Sequence, residues 1–239
     1  MVLVSHAHAF VYLKTFKTAG TSAEMALEPL CAPAGHVPQH ACPAQISDVG
    51  IIGARMKPAS TDTTGWWGHL SAAATRAKLG DALWAAYDRI AVLRNPFDKA
   101  VSWFYWSRRK DDTEGRTMID AFRAFIAAQT QAGFFGSPRD FDLHSTHING
   151  TNIITGWFRM ETLRQDLDLF ARDRGIAPAT LALAATKRGR RSSDTLPVAA
   201  YYDTKTADII RRHYAWMFDI GGYSLYPQDA QRASREVLT

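Results

Sequence analysis

The sequence predicts an α/β protein with a central parallel sheet flanked by helices on both faces. Short apolar runs of strand length alternate with longer segments in which apolar residues recur every three or four positions, as in strand–helix–strand units. The length of 239 residues suits one such domain, so we expect a single domain over residues 1–239. Hydrophobic residues make up 46% of the chain and charged residues 21%, which excludes disordered and fibrous proteins.

The first half of the chain predicts a strand, a loop and three helical segments. The run AFVYL at residues 9–13 predicts a strand, and KTFKTAGTSAEMAL after it predicts a tight loop and a helix. Residues 29–58 are rich in proline, glycine and alanine and are predicted to be mostly loop, with one apolar island at 49–52. Ser71 predicts the start of a helix that Gly80 ends, and DALWAAYD predicts another helical segment.

The second half predicts two strands and several core-facing helices. Residues 90–93 predict a buried strand, after which Asn95 caps a helix with Pro96 in its first turn. Residues 153–158 (IITGWF) predict a later strand, and residues 187–193 (KRGRRSS) a basic loop. Apolar side chains share one face in three more helical regions, namely Met118, Ile119, Phe122, Phe125 and Ile126; Leu163, Leu167 and Phe170; and Ile209, Ile210, Tyr214 and Met217.

Charge and cysteine content narrow the class of protein. Lys and Arg number 28 against 23 Asp and Glu, and the net charge of +5 suits an anionic ligand without requiring a nucleic acid. Two cysteines are too few for the disulfide framework of a secreted module. We find no signal peptide and no apolar stretch suited to a membrane span, so we expect a cytoplasmic protein.

Residues 17–22 carry the first chemical signal, between a predicted strand and a predicted helix. Small residues let backbone N–H groups approach an anion, hydroxyls can donate to it, and the helix N-terminus adds partial positive charge. The sequence therefore predicts a P-loop-like phosphate site, although its lysine precedes the glycine instead of following it as in nucleoside triphosphatases. The alternative is a glycine-containing turn with a surface lysine. The residues of this site are Lys17, Thr18, Ala19, Gly20, Thr21 and Ser22.

Arg94 and Ser102 carry the second signal, in the segment RNPFDKAVS. Arg94 lies where a predicted buried strand meets a helix, the position at which open α/β sheets bind ligands, and Ser102 lies in that helix. A guanidinium can bind phosphate through two parallel hydrogen bonds. The alternative interpretation pairs Arg94 with a carboxylate such as Asp98 and bonds Ser102 to its own helix.

The two signals together make the chain similar to a known family, the sulfotransferases that use 3′-phosphoadenosine 5′-phosphosulfate (PAPS). KTAGTS and RNPFDKAVS match the family's two hallmark segments, and the similarity is closest to its carbohydrate-modifying and bacterial branch. Further matching segments are GHLSAAATRAKLG, FRMETLRQDLDLF and IGGY, so the resemblance extends from Phe10 to Tyr223. Phe16 stands where the family often has proline, and Lys14 adds a second cation near the loop.

The resemblance implies a function and a cofactor. Residues 17–22 would hold the 5′-phosphosulfate, and Arg94 and Ser102 the 3′-phosphate. The chain would transfer the sulfuryl group to an acceptor hydroxyl, with a carbohydrate as one candidate, and would release adenosine 3′,5′-bisphosphate. Arg190 and Arg191 loosely resemble a third cofactor segment, and a solvated charge cluster is the alternative for them. No part of the sequence identifies the acceptor or the oligomeric state.

The same chemistry indicates two catalytic residues, Lys17 and His69. Lys17 would stabilise the negative charge that grows on the departing nucleotide, without a metal, and a general base would take the acceptor proton. His69 is the candidate base because the family's carbohydrate branch has a histidine in a comparable glycine–histidine loop; local packing or capping is the alternative. His144 and His147 lie in a polar segment that could line an acceptor site, whereas His213 lies on an apolar helix face.

Other interpretations remain open at this point. A small-molecule or nucleotide kinase would place a phosphate loop at the same junction, but the order of lysine and glycine argues against it. A basic nucleic-acid-binding module would explain the charge, yet no recognition motif accompanies the basic runs. Cys31, His36, His40 and Cys42 match no common zinc spacing. Some aromatic residues near the two hallmarks could stack on an acceptor, among them Trp66, Trp67, Trp103, Tyr105 and Trp106.

Overall fold

The computed structural model confirms the α/β class. It describes residues 2–56, 63–108, 115–137, 140–183 and 196–230. A six-stranded sheet has the order β3-β4-β1-β2-β5-β8, and β6 and β7 form a separate hairpin. The strands are β1 Leu3–Ser5, β2 Phe10–Tyr12, β3 Gln45–Ile46, β4 Gly50–Ile52, β5 Asp88–Leu93, β6 His147–Ile148, β7 Thr151–Asn152 and β8 Gly156–Arg159.

The sheet is mixed, so the expectation of a parallel central sheet is wrong. The pairs β1–β2, β1–β4 and β3–β4 are antiparallel, whereas β2 and β5 run parallel. The sequence pattern hides β1 because His6 and His8 interrupt its apolar run. Only residues 6–9 join β1 to β2, and so short a connection can join only antiparallel neighbours.

The helices largely begin and end where local sequence signals predict. The Ser71 hydroxyl accepts the Ala74 N–H and caps α2, and Asn95 accepts the Phe97 N–H and caps α4. The helices are α1 Gly20–Leu27, α2 Ala72–Leu79, α3 Asp81–Ala86, α4 Pro96–Ser107, α5 Met118–Gln131, α6 Phe141–Thr146, α7 Leu163–Asp173, α8 Thr204–His213 and α9 Ala215–Gly221. None of those in the described ranges is long and apolar enough to cross a membrane.

The described residues group into two compact units. The first comprises those within Met1–Val92 and Phe141–Thr186, and the second those within Leu93–Asp140 and Lys187–Ser234. In the first unit, side chains from β1, β2 and β4 form a core with Trp66, Leu70 and Trp84. In the second, the buried Phe122 ring meets Phe104 and Tyr201 edge to face. Each unit therefore has its own apolar interior.

Candidate phosphate-binding site

The loop between β2 and α1 is anchored at two neighbouring residues. The Thr15 hydroxyl donates to the Val92 carbonyl at 2.5 Å, and its oxygen lies 2.8 Å from the Thr18 hydroxyl oxygen. The Phe16 N–H donates to the Asp142 carboxylate at 2.8 Å. Thr15 and Asp142 are absent from the sequence-based prediction because their partners lie 77 and 126 residues away along the chain. These bonds attach the loop to β5 and to α6.

Lys17 and Ala19 hold left-handed backbone conformations that side chains rarely adopt. Lys17 has a φ of 61°, and Ala19, immediately before α1, has a φ of 58° and a ψ of 24°. Such strain at residues other than glycine concentrates at functional sites. A left-handed residue next to a right-handed one turns successive N–H groups toward one concave surface, an arrangement that binds anions. Lys17 and Ala19 are two left-handed residues immediately before α1.

The loop hydroxyls bond within the protein in this structure. Thr18 contacts Thr15, and the Thr21 hydroxyl oxygen lies 3.4 Å from the Lys14 amine. Thr18, Thr21 and Ser22 are all buried. Backbone N–H groups and a lysine are therefore the groups best suited to meet an anion here, and the hydroxyls mainly shape the loop.

Lys14 forms a buried ion pair with Glu24 on α1. The Lys14 Nζ lies 2.7 Å from Glu24 Oε2, and the Glu24 side chain is fully buried. Burial by itself raises the pKa of Glu24, but neighbouring positive charge, including that of Lys14, lowers it to about 2. Lys14 is thus the partner of a buried carboxylate. Lys14 therefore has a structural role, whereas Lys17 is the lysine predicted to bind an anion.

Gly20 makes room for the Lys14 side chain. A Cβ atom at Gly20 would lie 3.0 Å from both Cε and Cγ of Lys14 and 3.4 Å from the Tyr12 hydroxyl. Lys14 therefore crosses the first residue of α1 to reach Glu24. The glycine of KTAGTS is explained by this close approach.

The ion pair belongs to a buried charged network that the sequence analysis did not predict. Arg55 is 3% exposed, and its Nη2 lies 2.7 Å from Glu28 while its Nη1 lies 3.9 Å from Glu24. His36 Nε2 lies 2.7 Å from the other oxygen of Glu28. Within the described part of the chain, Arg55 Nε and Nη1 are buried without a hydrogen-bond partner. The four-residue spacing of Glu24 and Glu28 in the sequence was the available signal, since such acids need a cation when buried.

The structure brings His69 close to the charges of Lys14 and Glu24. His69 has a φ of 63°, another strained position, and its ring centroid lies 5.5 Å from that of Phe141. Burial, followed by nearby positive charge such as that of Lys14, lowers the pKa of His69 to about 4, below the ordinary imidazole value of 6.5. Nδ1 is buried, and among the described residues it has no hydrogen-bond partner. At neutral pH the ring is therefore uncharged.

Arg94 pairs with Asp98 in the second unit. Arg94 Nε and Nη2 donate to Asp98 Oδ2 at 2.8 and 2.6 Å, and both side chains are buried. Asp98 and the half-buried Ser102 are four residues apart on α4, so they share one helix face. The carboxylate partner considered in the sequence analysis is therefore present. It fixes the orientation of the guanidinium at the start of α4.

The remaining arginine and histidine candidates from the sequence analysis lie at residues 144, 147, 190, 191 and 213. Arg190 and Arg191 lie outside the described residues. His144 is exposed on α6, and burial lowers the pKa of His147, whose Nδ1 lies 2.8 Å from the Thr146 hydroxyl. His213 stacks on the Phe135 ring with centroids 4.5 Å apart.

The cysteines and histidines of residues 31–42 make separate contacts. Cys31 Sγ lies 3.6 Å from the Leu27 carbonyl, His36 pairs with Glu28, and His40 is exposed. In the ranges that the structure describes, no group of three or more His, Cys, Asp or Glu side chains is arranged to hold a metal ion. Of the aromatic residues considered for stacking, Trp66, Trp103 and Tyr105 are buried, and Trp67 and Trp106 are exposed.

Three comparisons with known proteins found no match. No protein-family model matches the chain, and no curated protein or solved structure matches it.

Proposed function

We propose that this protein is a PAPS-dependent sulfotransferase, with the β2–loop–α1 segment as its P-loop-like phosphate site. The main support is the pair of left-handed residues, Lys17 and Ala19, at the start of α1. This backbone presents N–H groups to an anion beside a lysine, at the position where the hallmark KTAGTS lies. The resemblance stated above supplies the identity of the anion.

The residues of the loop fit a phosphosulfate group. Ala19 is half-buried at the residue before α1, and the positive end of the helix dipole favours negative charge there. Lys17 is the lysine in register with the loop of the family that the chain resembles, so it is assigned to the bound anion, and Lys14 pairs with Glu24. Backbone N–H groups from residues 17–21 are the proposed donors.

The proposed reaction is an in-line transfer. The acceptor oxygen forms a bond to sulfur while the bond from sulfur to the bridging phosphate oxygen breaks. The electron pair of the broken bond leaves with adenosine 3′,5′-bisphosphate, and the acceptor proton passes to His69. Lys17 stabilises the negative charge that develops on the bridging oxygen, which is most effective when the cation is already in position. Because His69 is uncharged at neutral pH, it can act as the base.

Arg94 and Ser102 are proposed to bind the 3′-phosphate. The Asp98 carboxylate holds the Arg94 guanidinium in one orientation, which reduces the entropy that phosphate binding would otherwise cost. Ser102, one turn further along α4, supplies a hydroxyl on the same helix face.

Ligand-dependent thermal unfolding tests the nucleotide class. The full chain is melted with adenosine 3′,5′-bisphosphate, adenosine 5′-monophosphate, ATP with magnesium, or a single-stranded oligonucleotide, each at the same concentration. We expect the bisphosphate to raise Tm most, since a ligand at one hundred times its Kd stabilises the fold by about 2.7 kcal/mol. A larger shift with magnesium ATP would favour a kinase, and one with the oligonucleotide a nucleic-acid-binding module. Either result would contradict the proposal.

A further inference from the structure

An open cleft of about 510 Å³ lies in the first unit, at the amino end of β5. We call it the β5 cleft. Its walls come from α2, α3 and β5 and from the segment 152–155, and its volume is in the range of small-molecule sites. β2 and β5 run parallel, and the candidate phosphate loop follows the carboxyl end of β2. The β5 cleft is therefore at the opposite edge of the sheet from that loop.

Arg89 lines the β5 cleft and is held there by backbone carbonyls. Its Nε donates to the Ile153 carbonyl at 2.7 Å, and its Nη1 donates to the carbonyls of Trp84 and Tyr87 at 2.7 and 2.9 Å. Among the described residues, no carboxylate lies within ion-pair distance of Arg89, and its Nη2 has no hydrogen-bond partner. The guanidinium is thus fixed in position, while its charge is not matched by an acid.

The other charged groups at the β5 cleft pair with one another. Arg76 Nε donates to Asp81 Oδ1 at 2.7 Å, and both side chains line the cleft. Asp88, which precedes Arg89 on β5, pairs with Arg174. Two arginines and one aspartate line the cleft, so its net charge is +1. This charge is that of Arg89.

Apolar side chains and one amide complete the wall of the β5 cleft. Trp84 is buried, and Ile153 and Ile154 are half-buried against the core of the first unit. The Arg89 guanidinium carbon lies 5.5 Å from the centroid of a Trp84 ring. Asn152 Oδ1 accepts the Ile154 N–H at 2.9 Å, so the NH2 group is the donor side of this amide. A fixed cation and an amide donor therefore lie beside an apolar surface.

We propose that the β5 cleft binds a small organic monocarboxylate with an apolar body. Arg89 Nη2 and the Asn152 amide would donate to the carboxylate, and the isoleucine side chains would contact the body of the ligand. One carboxylate matches the single unmatched charge. A dianion such as phosphate would bring a second negative charge close to Asp81, and a neutral ligand would leave Arg89 unmatched. This site is separate from the proposed sulfuryl-transfer site, and its occupancy does not depend on that function.

Benzoate and benzamide share a shape and differ in charge, so they test the ligand class. The full chain, labelled with ¹⁵N, is titrated with benzoate, benzamide or inorganic phosphate, and the amide chemical shifts of residues 84–89 and 152–155 are followed. We expect benzoate to shift these amides with a Kd about tenfold lower than that of benzamide or phosphate, the scale of one hydrogen bond to a charged group. Equal Kd values for benzoate and benzamide, tighter binding of phosphate, or no benzoate-dependent shift at these residues would overturn the proposal.

Two adjacent alanines of α3 provide a matched pair of variants. Ala85 lines the β5 cleft and Ala86 lies outside it, and both are exposed, so neither substitution disturbs the core. Ala85→Glu supplies a carboxylate of its own to the cleft and should raise the Kd of benzoate by about tenfold. Ala86→Glu adds the same charge at the same end of the helix and should leave the Kd unchanged. Circular dichroism checks the fold of both variants, and equal Kd values for benzoate in the two would place its binding outside the cleft and overturn the proposal.

Discussion

Lys14 Nζ lies 2.7 Å from Glu24 Oε2, in an ion pair whose carboxylate is fully buried. This contact joins the second residue after β2 to the middle of α1, across the loop that carries Lys17. The ion pair therefore links the two sides of the loop. The hydrogen bonds of Thr15 and Phe16 hold the loop as well. Lys14 and Lys17, three residues apart, thus have different roles: Lys14 stabilises the structure, and Lys17 is assigned to the anion.

Removing Lys14 is expected to destabilise the fold. Lys14→Met removes the lysine that lies 2.7 Å from the buried Glu24 carboxylate, which should lower the free energy of unfolding by roughly 3 kcal/mol. The double variant Lys14→Met/Glu24→Gln also removes the buried negative charge and should recover much of that loss. Urea unfolding at pH 7 measures all four members of this double-mutant cycle. Losses in the two single variants that add up to the loss in the double variant would show that the pair is not coupled.

Removing Lys17 is expected to affect turnover far more than stability. Lys17→Ala should lower kcat by about two to three orders of magnitude, the scale for loss of one preorganised charge in a transition state. Lys17→Gly should be equally slow but at least as stable as Lys17→Ala, because glycine relieves the positive φ. Lys205→Ala, at an exposed site on α8, is the control. Ordinary kcat in Lys17→Ala would remove Lys17 from the proposed reaction.

His69 is expected to make stability depend on pH between about 4 and 6.5. Its folded pKa of about 4 lies below the ordinary value of 6.5, so the unfolded chain binds the proton more tightly. Above pH 6.5, protonation of His69 therefore does not change the free energy of unfolding. As the pH falls from 6.5 to 4, the free energy of unfolding decreases, by roughly 2–3 kcal/mol at pH 4.5. In His69→Gln this part of the loss should vanish.

Urea unfolding at pH 7.5 and 4.5, in the wild type and in His69→Gln, measures that difference. Burial also lowers the pKa values of His147 and His213, so the comparison between the two proteins, and not the wild-type curve alone, isolates His69. The same variant should lose about two to four orders of magnitude in turnover if His69 is the base, with unchanged affinity for the nucleotide. Identical pH dependence in both proteins would refute the burial of a neutral imidazole.

Arg94 is expected to distinguish nucleotides by their 3′-phosphate. Arg94→Ala should weaken binding of adenosine 3′,5′-bisphosphate by about tenfold to a hundredfold, so that its affinity approaches that of adenosine 5′-monophosphate. Because the substitution also removes Arg94 from the buried Asp98 carboxylate, the double variant Arg94→Ala/Asp98→Asn serves as the control for stability. The double variant should regain stability without regaining the preference. Calorimetry that shows equal loss for both nucleotides would exclude Arg94 from 3′-phosphate binding.

Local chemistry explains which parts of the fold the sequence predicts. Ser71, Gly80 and Asn95 act within one helical turn of their own positions, and their predicted capping is confirmed. The strand pairing was not predictable in the same way. Only contact with β2 and β4 makes the three residues of β1 a strand, and a parallel sheet was inferred without it. Short strands carry too little pattern to reveal their partners.

The candidate site shows the same division. The loop was located from its small residues, and the structure adds the left-handed conformations of Lys17 and Ala19. The commitment of Lys14 to Glu24 depends on a side chain crossing Gly20, which no spacing rule predicts. Likewise, the depressed pKa of His69 results from burial beside residues more than forty positions away in the sequence. Such contacts exist only after the chain has folded.

Sulfuryl transfer measured as a mass balance tests the central proposal most directly. The full chain is incubated with PAPS and a pool of hydroxyl acceptors that includes phenols and glycosides, and both products are quantified by mass spectrometry over time, for the wild type and for Lys17→Ala. The proposal predicts that adenosine 3′,5′-bisphosphate and sulfated acceptor appear in equal amounts with the wild type and far more slowly with the variant. Release of bisphosphate without any sulfated acceptor, or equal rates in both proteins, would contradict it.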